Sequence, residues 1–158
     1  MAARDKVWTK IADIPWLTAG GIDLGRVPID SILLQAMSPD VDKFRSACSM
    51  LKALGHAGRS EAGVFLLGLI PRHADDCHRL TLVAEALDAF PTEASVTVLV
   101  SEFRRVKGSS ATRGYLRRIL ATLFGFPTPL VQAQLESLAS DPNIGVRFRR
   151  HIRSIIED

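Results

Sequence analysis

Arg45, Arg79, Arg113 and Arg147 stand 34 residues apart, three times in succession. A fixed period of a few tens of residues marks a chain built from one recurring supersecondary unit. Such a unit cannot bury its apolar face alone and has to lean on its neighbours. The surroundings of the arginines carry the same message. Ala47, Cys48, Leu51 and Leu54 follow the first, and Leu80, Val83, Ala86, Leu87 and Phe90 the second. Leu116, Ile119, Leu120 and Leu123 follow the third, and Phe148, Ile152, Ile155 and Ile156 the fourth. Spacings of three and four place each set on one side of a helix.

Each of the first three helices then meets a break, GHAGRS, AFPTE or GFPTP, and a helix start signal. Ser60, Thr92 and Thr128 offer a side-chain oxygen to an orphan backbone N–H, and Pro129 suits a first helical position. Second helices are expected over roughly 61–70, 93–106 and 129–140, and the last two arginine-bearing helices over 110–124 and 143–157. The expected caps are 32 and 36 residues apart, so small insertions and deletions break the 34-residue rhythm. Asp30 is placed to cap a short helix over 32–37, residues 17–28 are Gly-rich and read as a loop, and 4–14 reads as a small leading helix. VTVLV (96–100) has strand propensity. Its apolar spacing runs on to Phe103 and no partner strand is in sight, so it is expected to be buried helix and the chain all-α.

A chain of 158 residues fits a single domain, 1–158, able to bury a core without a metal or disulfide. An apolar share of 47% excludes a disordered chain. The longest apolar runs fall far short of a membrane span, so no membrane role is expected. The start, MAARDKVWTKIADIPW, lacks the apolar centre of a secretion signal, and Cys48 and Cys77 show no CxxC spacing. A reducing, cytoplasmic location is expected.

Tetratricopeptide repeats share the period, but their W-x2-L-G-x2-Y pattern is absent. The stretch LESLASDPNIGVRFRRHIRSI instead resembles the junction of a HEAT repeat. It has an apolar helix with Leu135 and Leu138, then Asp141-Pro142, then Val146-Arg147 opening the next helix. SPDVDKFRSACSMLKALG, with Phe44-Arg45, and ADDCHRLTLVAEAL, with Asp75, Asp76 and Arg79, are similar at the same places. KGSSATRGYLRRIL keeps Arg113 but has Lys107 where the acidic turn belongs. The resemblance covers 39–158. It implies a right-handed α-α superhelix, a HEAT-like solenoid of about three and a half helix pairs. Residues 29–158 would form the stacked repeats, and 1–28 a capping segment and Gly-rich loop. It also implies that Asp141 and Arg147, with Arg45 and Arg79, form a structural ladder between neighbouring repeats. The planar guanidinium fork suits carboxylates and backbone carbonyls.

Net charge is +3, unevenly spread: residues 1–100 hold ten Lys and Arg against twelve Asp and Glu, and residues 101–158 ten against five. Arg113, Arg117 and Arg118 on one helix, and Arg147, Arg150 and Arg153 on another, are candidates for binding an anionic partner. A phosphate backbone would suit such a surface, and HEAT-like DNA glycosylases bind duplex DNA on theirs. The same arginines also serve to solvate a terminal helix, which needs a polar outer face. His73, Cys77 and His78 lie close in sequence, but no second pair of ligands accompanies them, so no metal is expected. No GxSxG, HExxH or P-loop occurs, and GGIDLG (20–25) has no strand before it. No catalytic residue and no cofactor are expected. Trp8 and Trp16 are read as covering the open edge of the first helices. The expected function is a non-enzymatic scaffold that binds a protein partner, with nucleic-acid binding through the C-terminal arginines as the alternative.

Overall fold

The three-and-four rhythm of apolar residues becomes eight α-helices in a computed structural model that describes residues 14–158. The leading helix expected at 4–14 falls almost wholly outside the described residues, as does Trp8. The helices are α1 Asp30–Ala36, α2 Val41–His56, α3 Glu61–Arg72, α4 Cys77–Ala86, α5 Glu93–Arg105, α6 Arg113–Gly125, α7 Thr128–Ser140 and α8 Val146–Ile156. A single 3₁₀ turn, Leu87–Ala89, extends α4. Among the described residues the fold is all-α but for one two-residue ladder, β1 Leu17–Thr18 against β2 Gly21–Ile22, inside the stretch expected to be loop. Gly21, at φ 121°, closes that hairpin in a conformation that side chains resist. VTVLV lies within α5, where Val96, Leu99, Val100 and Phe103 are buried at helical spacing.

Capping chemistry decides where the helices start. The Asp40 carboxylate accepts from the N–H groups of Asp42 and Lys43 at 2.8 and 3.2 Å, and so begins α2. Asp76 accepts from Arg79 N–H at 3.0 Å and begins α4. Thr92 accepts from Ser95 N–H at 3.2 Å and begins α5. Ser60 makes no such bond, and Thr128 is itself the first residue of α7, with Pro127 before it and Pro129 after. Asp30 likewise sits in the first turn of α1 rather than ahead of it, where a carboxylate still favours the positive end of the helix dipole.

α2 lies beside α4, and α4 beside α6. α1 and α3 flank α2, α5 packs on α6 and α7, and α7 carries α8. One continuous set of buried apolar side chains runs from Val27 to Ile152, with half-buried Trp16 packed against it. Two glycines make the α2–α3 corner close enough for Phe90 to enter. A Cβ at Gly55 would stand 2.4 Å from the Phe90 ring, and one at Gly63 2.5 Å. The Gly63→Ala variant gains up to about 1 kcal/mol in helix propensity but meets an overpacking cost of about 1–3 kcal/mol. It should unfold at lower urea than the wild type, and the loss should shrink in a Phe90→Leu background, as a double-mutant cycle would read.

The four arginines of the 34-residue series occupy different positions in their helices. Arg45 is the fifth residue of α2, Arg79 the third of α4, Arg113 the first of α6 and Arg147 the second of α8. At about 100° of rotation per residue, a drift of two positions turns a side chain to a different side. Arg79 is the one that reaches the turn ahead of α2. Its guanidinium donates to the carbonyls of Ser38 at 3.2 Å and Pro39 at 2.5 Å. It meets Asp76 at 3.3 Å and lies 4.7 Å above the Phe44 ring. It is only 8% exposed. Arg45 is exposed, with Asp42 at 3.2 Å and the His78 ring at 3.4 Å. Removing Arg79 strands two carbonyls, so Arg79→Ala should cost about 2–4 kcal/mol in chemical denaturation. Arg79→Lys should restore only part of that, since an ammonium cannot span both carbonyls and stack on the ring in the same geometry.

Candidate functional site

The row of adjoining helices opens after α6. α8 packs on α7, and between α6 and α8 lies a cleft of about 1380 Å³. The cause is legible in α8 itself. Ile152 is its one buried residue, and arginines at 147, 149, 150 and 153 surround that narrow stripe. One stripe suffices to seat the helix on α7 and leaves little to press against α6. The floor is apolar, with Phe103 from α5, Leu116 and Leu120 from α6, Ile144 from the turn before α8, and Phe148. Phe103 and Phe148 meet edge to face at 5.4 Å. Farther along the walls, His151 stands edge-on to Phe124 at 5.8 Å and joins α8 to α6.

Cations rim this floor. Lys107, Arg113 and Arg117 come from the α6 side and Arg147 from α8. Among the described residues none of the four has a carboxylate within ion-pairing distance. Arg113 and Arg117 are one helical turn apart and share a face, as an i, i+4 pair must. The remaining candidates go elsewhere. Arg118 stands a further 100° round α6 and does not line the cleft. Arg150 is exposed beyond the cleft, and Arg153 donates to the Ala139 carbonyl at 3.0 Å, against α7. A series at i, i+3, i+6 falls about 60° short of a full turn at each step, which carries Arg147 to the cleft and Arg153 to the neighbouring helix.

Both ends of the frame are fastened. Among the described residues Asp141 is the one carboxylate on the cleft, and it is engaged. It accepts from Asn143 N–H at 2.9 Å and pairs with Arg104 at 3.2 Å, while Arg104 also reaches Ser137 Oγ at 2.8 Å. The partner of Asp141 is thus Arg104 of α5, and Arg147, exposed, is free for the cleft. On the other side, Glu102 is buried and receives the Tyr115 hydroxyl at 2.9 Å and a two-pronged bond from Arg105 at 2.7 and 2.8 Å. Burial, and then the Glu102 charge, push the Tyr115 phenol up, so it stays protonated as the donor. This knot fixes the first turn of α6, and with it Arg113, against α5. The loop ahead of α6 is closed by the Thr112 hydroxyl donating to Lys107 C=O at 2.6 Å.

The His73, Cys77 and His78 stretch forms no cluster. His73 stands edge-on to Phe44 at 5.1 Å, His78 faces Arg45, and Cys77 opens α4. Burial, and then Arg79, hold the His73 pKa below its usual value. The described residues contain no group of three His, Cys, Asp or Glu placed to hold a metal ion, and no helix long and apolar enough to cross a membrane. The floor phenylalanines and His151 were not singled out by the sequence pattern for this role. Phe148 reads there as part of an ordinary core stripe, and only the separation of α6 from α8 turns it into cleft floor.

No protein-family model matches the chain, and no curated protein or solved structure matches it.

The turn that carries α8 should be acid-sensitive. The Asn143 N–H, and then Arg104, hold the Asp141 carboxyl below its ordinary value of 3.8. A depressed carboxyl contributes stability that is complete above the unfolded pKa and fades as pH falls through the lower folded one. Urea denaturation should therefore find Asp141→Asn less stable than wild type at neutral pH, with the gap closing as pH drops below about 3.8.

Proposed function

We propose that the chain is a non-enzymatic, HEAT-like binding module that captures a protein partner in the cleft between α6 and α8. The observation that carries this reading is the combination of an apolar floor with rim cations that have no carboxylate partner among the described residues. A volume of about 1380 Å³ exceeds what small-molecule sites use, about 300–1,000 Å³. Buried apolar contacts with a polar rim are the anatomy of protein interfaces, where aromatic and arginine side chains carry much of the energy. A HEAT-like superhelix is supported by α2, α4 and α6 lying side by side and by Arg79 gripping the turn ahead of α2. The engagement of Asp141 by Arg104 and Asn143 leaves the cleft without a free carboxylate base, in keeping with binding rather than catalysis. Both cysteines are free, which suits a reducing compartment such as the cytoplasm.

Ala121 lines the cleft and is exposed, so Ala121→Trp fills the groove while leaving the core residues and the charged residues unsubstituted. A random peptide library displayed on phage should enrich sequences that bind wild type and lose binding to Ala121→Trp. Failure to enrich any such sequence over repeated rounds would sink the protein-binding reading.

The four rim cations also favour an anionic partner of another kind, a nucleic-acid backbone. Fluorescence anisotropy with a random-sequence duplex and its single strand, at about 50 mM salt where phosphate contacts are strong, separates the two. Salt-sensitive binding lost on Arg113→Ala/Arg117→Ala/Arg147→Ala would favour nucleic acid, and no binding would leave the apolar floor as the deciding feature.

A further inference from the structure

We infer that the occupant of the α6–α8 cleft is an amphipathic helix of about three turns whose apolar stripe is flanked by Asp and Glu; this rests on the protein-binding reading. Three observations converge on that occupant. The first is charge. The rim offers Lys107, Arg113, Arg117 and Arg147, none paired with a carboxylate among the described residues, and the cleft's lone acid is already bound to Arg104. Carboxylates on both flanks of an incoming segment would find cations on both walls, and complementary charge of this kind fixes register and speeds encounter. A basic or uncharged segment would leave those cations to be desolvated without compensation.

The second is shape. An α-helix with its side chains is about 10–12 Å across and rises about 5.4 Å per turn, so one turn fills roughly 500 Å³. A cleft of about 1380 Å³ therefore matches between two and three turns. The α6 wall gives the same length. From Arg113 to Phe124 it spans twelve residues, about 16 Å over the eleven rises of 1.5 Å between them, or three turns.

The third is backbone chemistry. Both long walls are helices, α6 and α8, whose own N–H and C=O groups are spent within them beyond their first turns. An extended peptide gains affinity by adding to the edge of a sheet, and no such edge borders this cleft. Along the helical walls most of its main-chain polar groups would enter beside an apolar floor without partners, which costs free energy. A helix brings its backbone bonds with it and presents only side chains. It would also lie where the row α2, α4, α6 lacks a next neighbour, laying apolar side chains on Phe124, Val146 and Phe148, large apolar residues of the cleft still accessible. Nucleic acid makes poor use of the same floor, since Phe103 is buried and its ring and that of Phe148 are engaged with each other rather than open for stacking.

The test uses three fluorescein-labelled, end-blocked peptides of about 12 residues, a little over three turns. The first has Leu at i, i+3, i+7 and i+10 on an Ala background with Glu on both flanks. The second is a scramble of the same composition, and the third replaces every Glu by Lys. Anisotropy against the full chain should show the acidic helix binding in the micromolar range, at least about ten-fold tighter than the scramble, a factor set by about one well-made contact. Its affinity should weaken between about 50 and 300 mM NaCl as screening shortens the reach of the rim charges. Arg117→Glu/Arg147→Glu should reverse the preference toward the Lys peptide, and Ala121→Trp should abolish binding of the acidic one. Both alterations lie at exposed positions, and circular dichroism should show the helices intact.

Equal binding of the helix and the scramble would overturn the inference, because charge alone would then suffice. So would undiminished binding to Ala121→Trp, which would place the peptide elsewhere. If the acidic helix fails to bind while the phage library yields cleft-dependent peptides of another pattern, the occupant is wrong and the protein-binding reading stands. If neither binds, both fall together.

Discussion

A helix whose apolar stripe is wider than one neighbour can cover must be packed from more than one side, and the arrangement of this chain follows from that constraint. α2 buries Phe44, Ala47, Cys48, Leu51 and Leu54, and meets α1, α3 and α4 to do so. α4 is held between α2 and α6. α6 buries Tyr115, Leu116, Ile119, Leu120 and Leu123 using α4, α5 and α7, and then runs out of neighbours on its last side. Burial of each such side chain is worth about 1.5–3 kcal/mol, and within the cleft the large apolar side chains still open to a partner include Val146 and half-buried Phe124 and Phe148. The cleft is where that requirement is left open.

Polar side chains then set the positions that apolar packing leaves loose. Arg79 binds two carbonyls of the Ser38–Pro39 turn, so the start of α2 and the start of α4 move as one. Glu102, Tyr115 and Arg105 do the same for α5 and α6, and Arg105 adds the Ala74 carbonyl ahead of α4. Arg104 and Asp141 join α5 to the turn before α8. In each case a charged group gains several partners at once, which is the condition under which a poorly solvated charge is tolerated.

Apolar periodicity made the helices readable, because i, i+3 and i+4 spacing is a property of the chain alone. It also rescued VTVLV from its strand propensity, since Phe103 continued the same side. The second helices start at or within one residue of the expected places, at Glu61, Glu93 and Thr128, whereas α6 and α8 start three residues later than 110 and 143, after the turns at Ser109–Thr112 and Asp141–Gly145. The short ladder at 17–22 was not legible, as two residues per strand give no alternation to detect. Of the six candidate binding arginines, Arg113, Arg117 and Arg147 come together, and Arg118, Arg150 and Arg153 do not. The even spacing of arginines along the chain concealed their rotation around the helices. The cleft was hidden for a different reason: it arises from contacts that α8 lacks, and a missing second stripe is hard to notice among residues that all look helical.

The two walls of the cleft are not equally anchored. α6 is gripped on several sides, whereas α8 rests mainly on α7, through Ile152 and its neighbours, with Phe148 touching Phe103 and His151 touching Phe124 at the margins. The width of the groove is therefore governed by side chains at the α7–α8 contact, such as Ala139 and Ile156, that lie behind the wall rather than in it. Enlarging or trimming those residues would shift α8 as a rigid jaw while the cations and the floor kept their identities. Selectivity for the girth of a bound segment can thus change independently of selectivity for its charge.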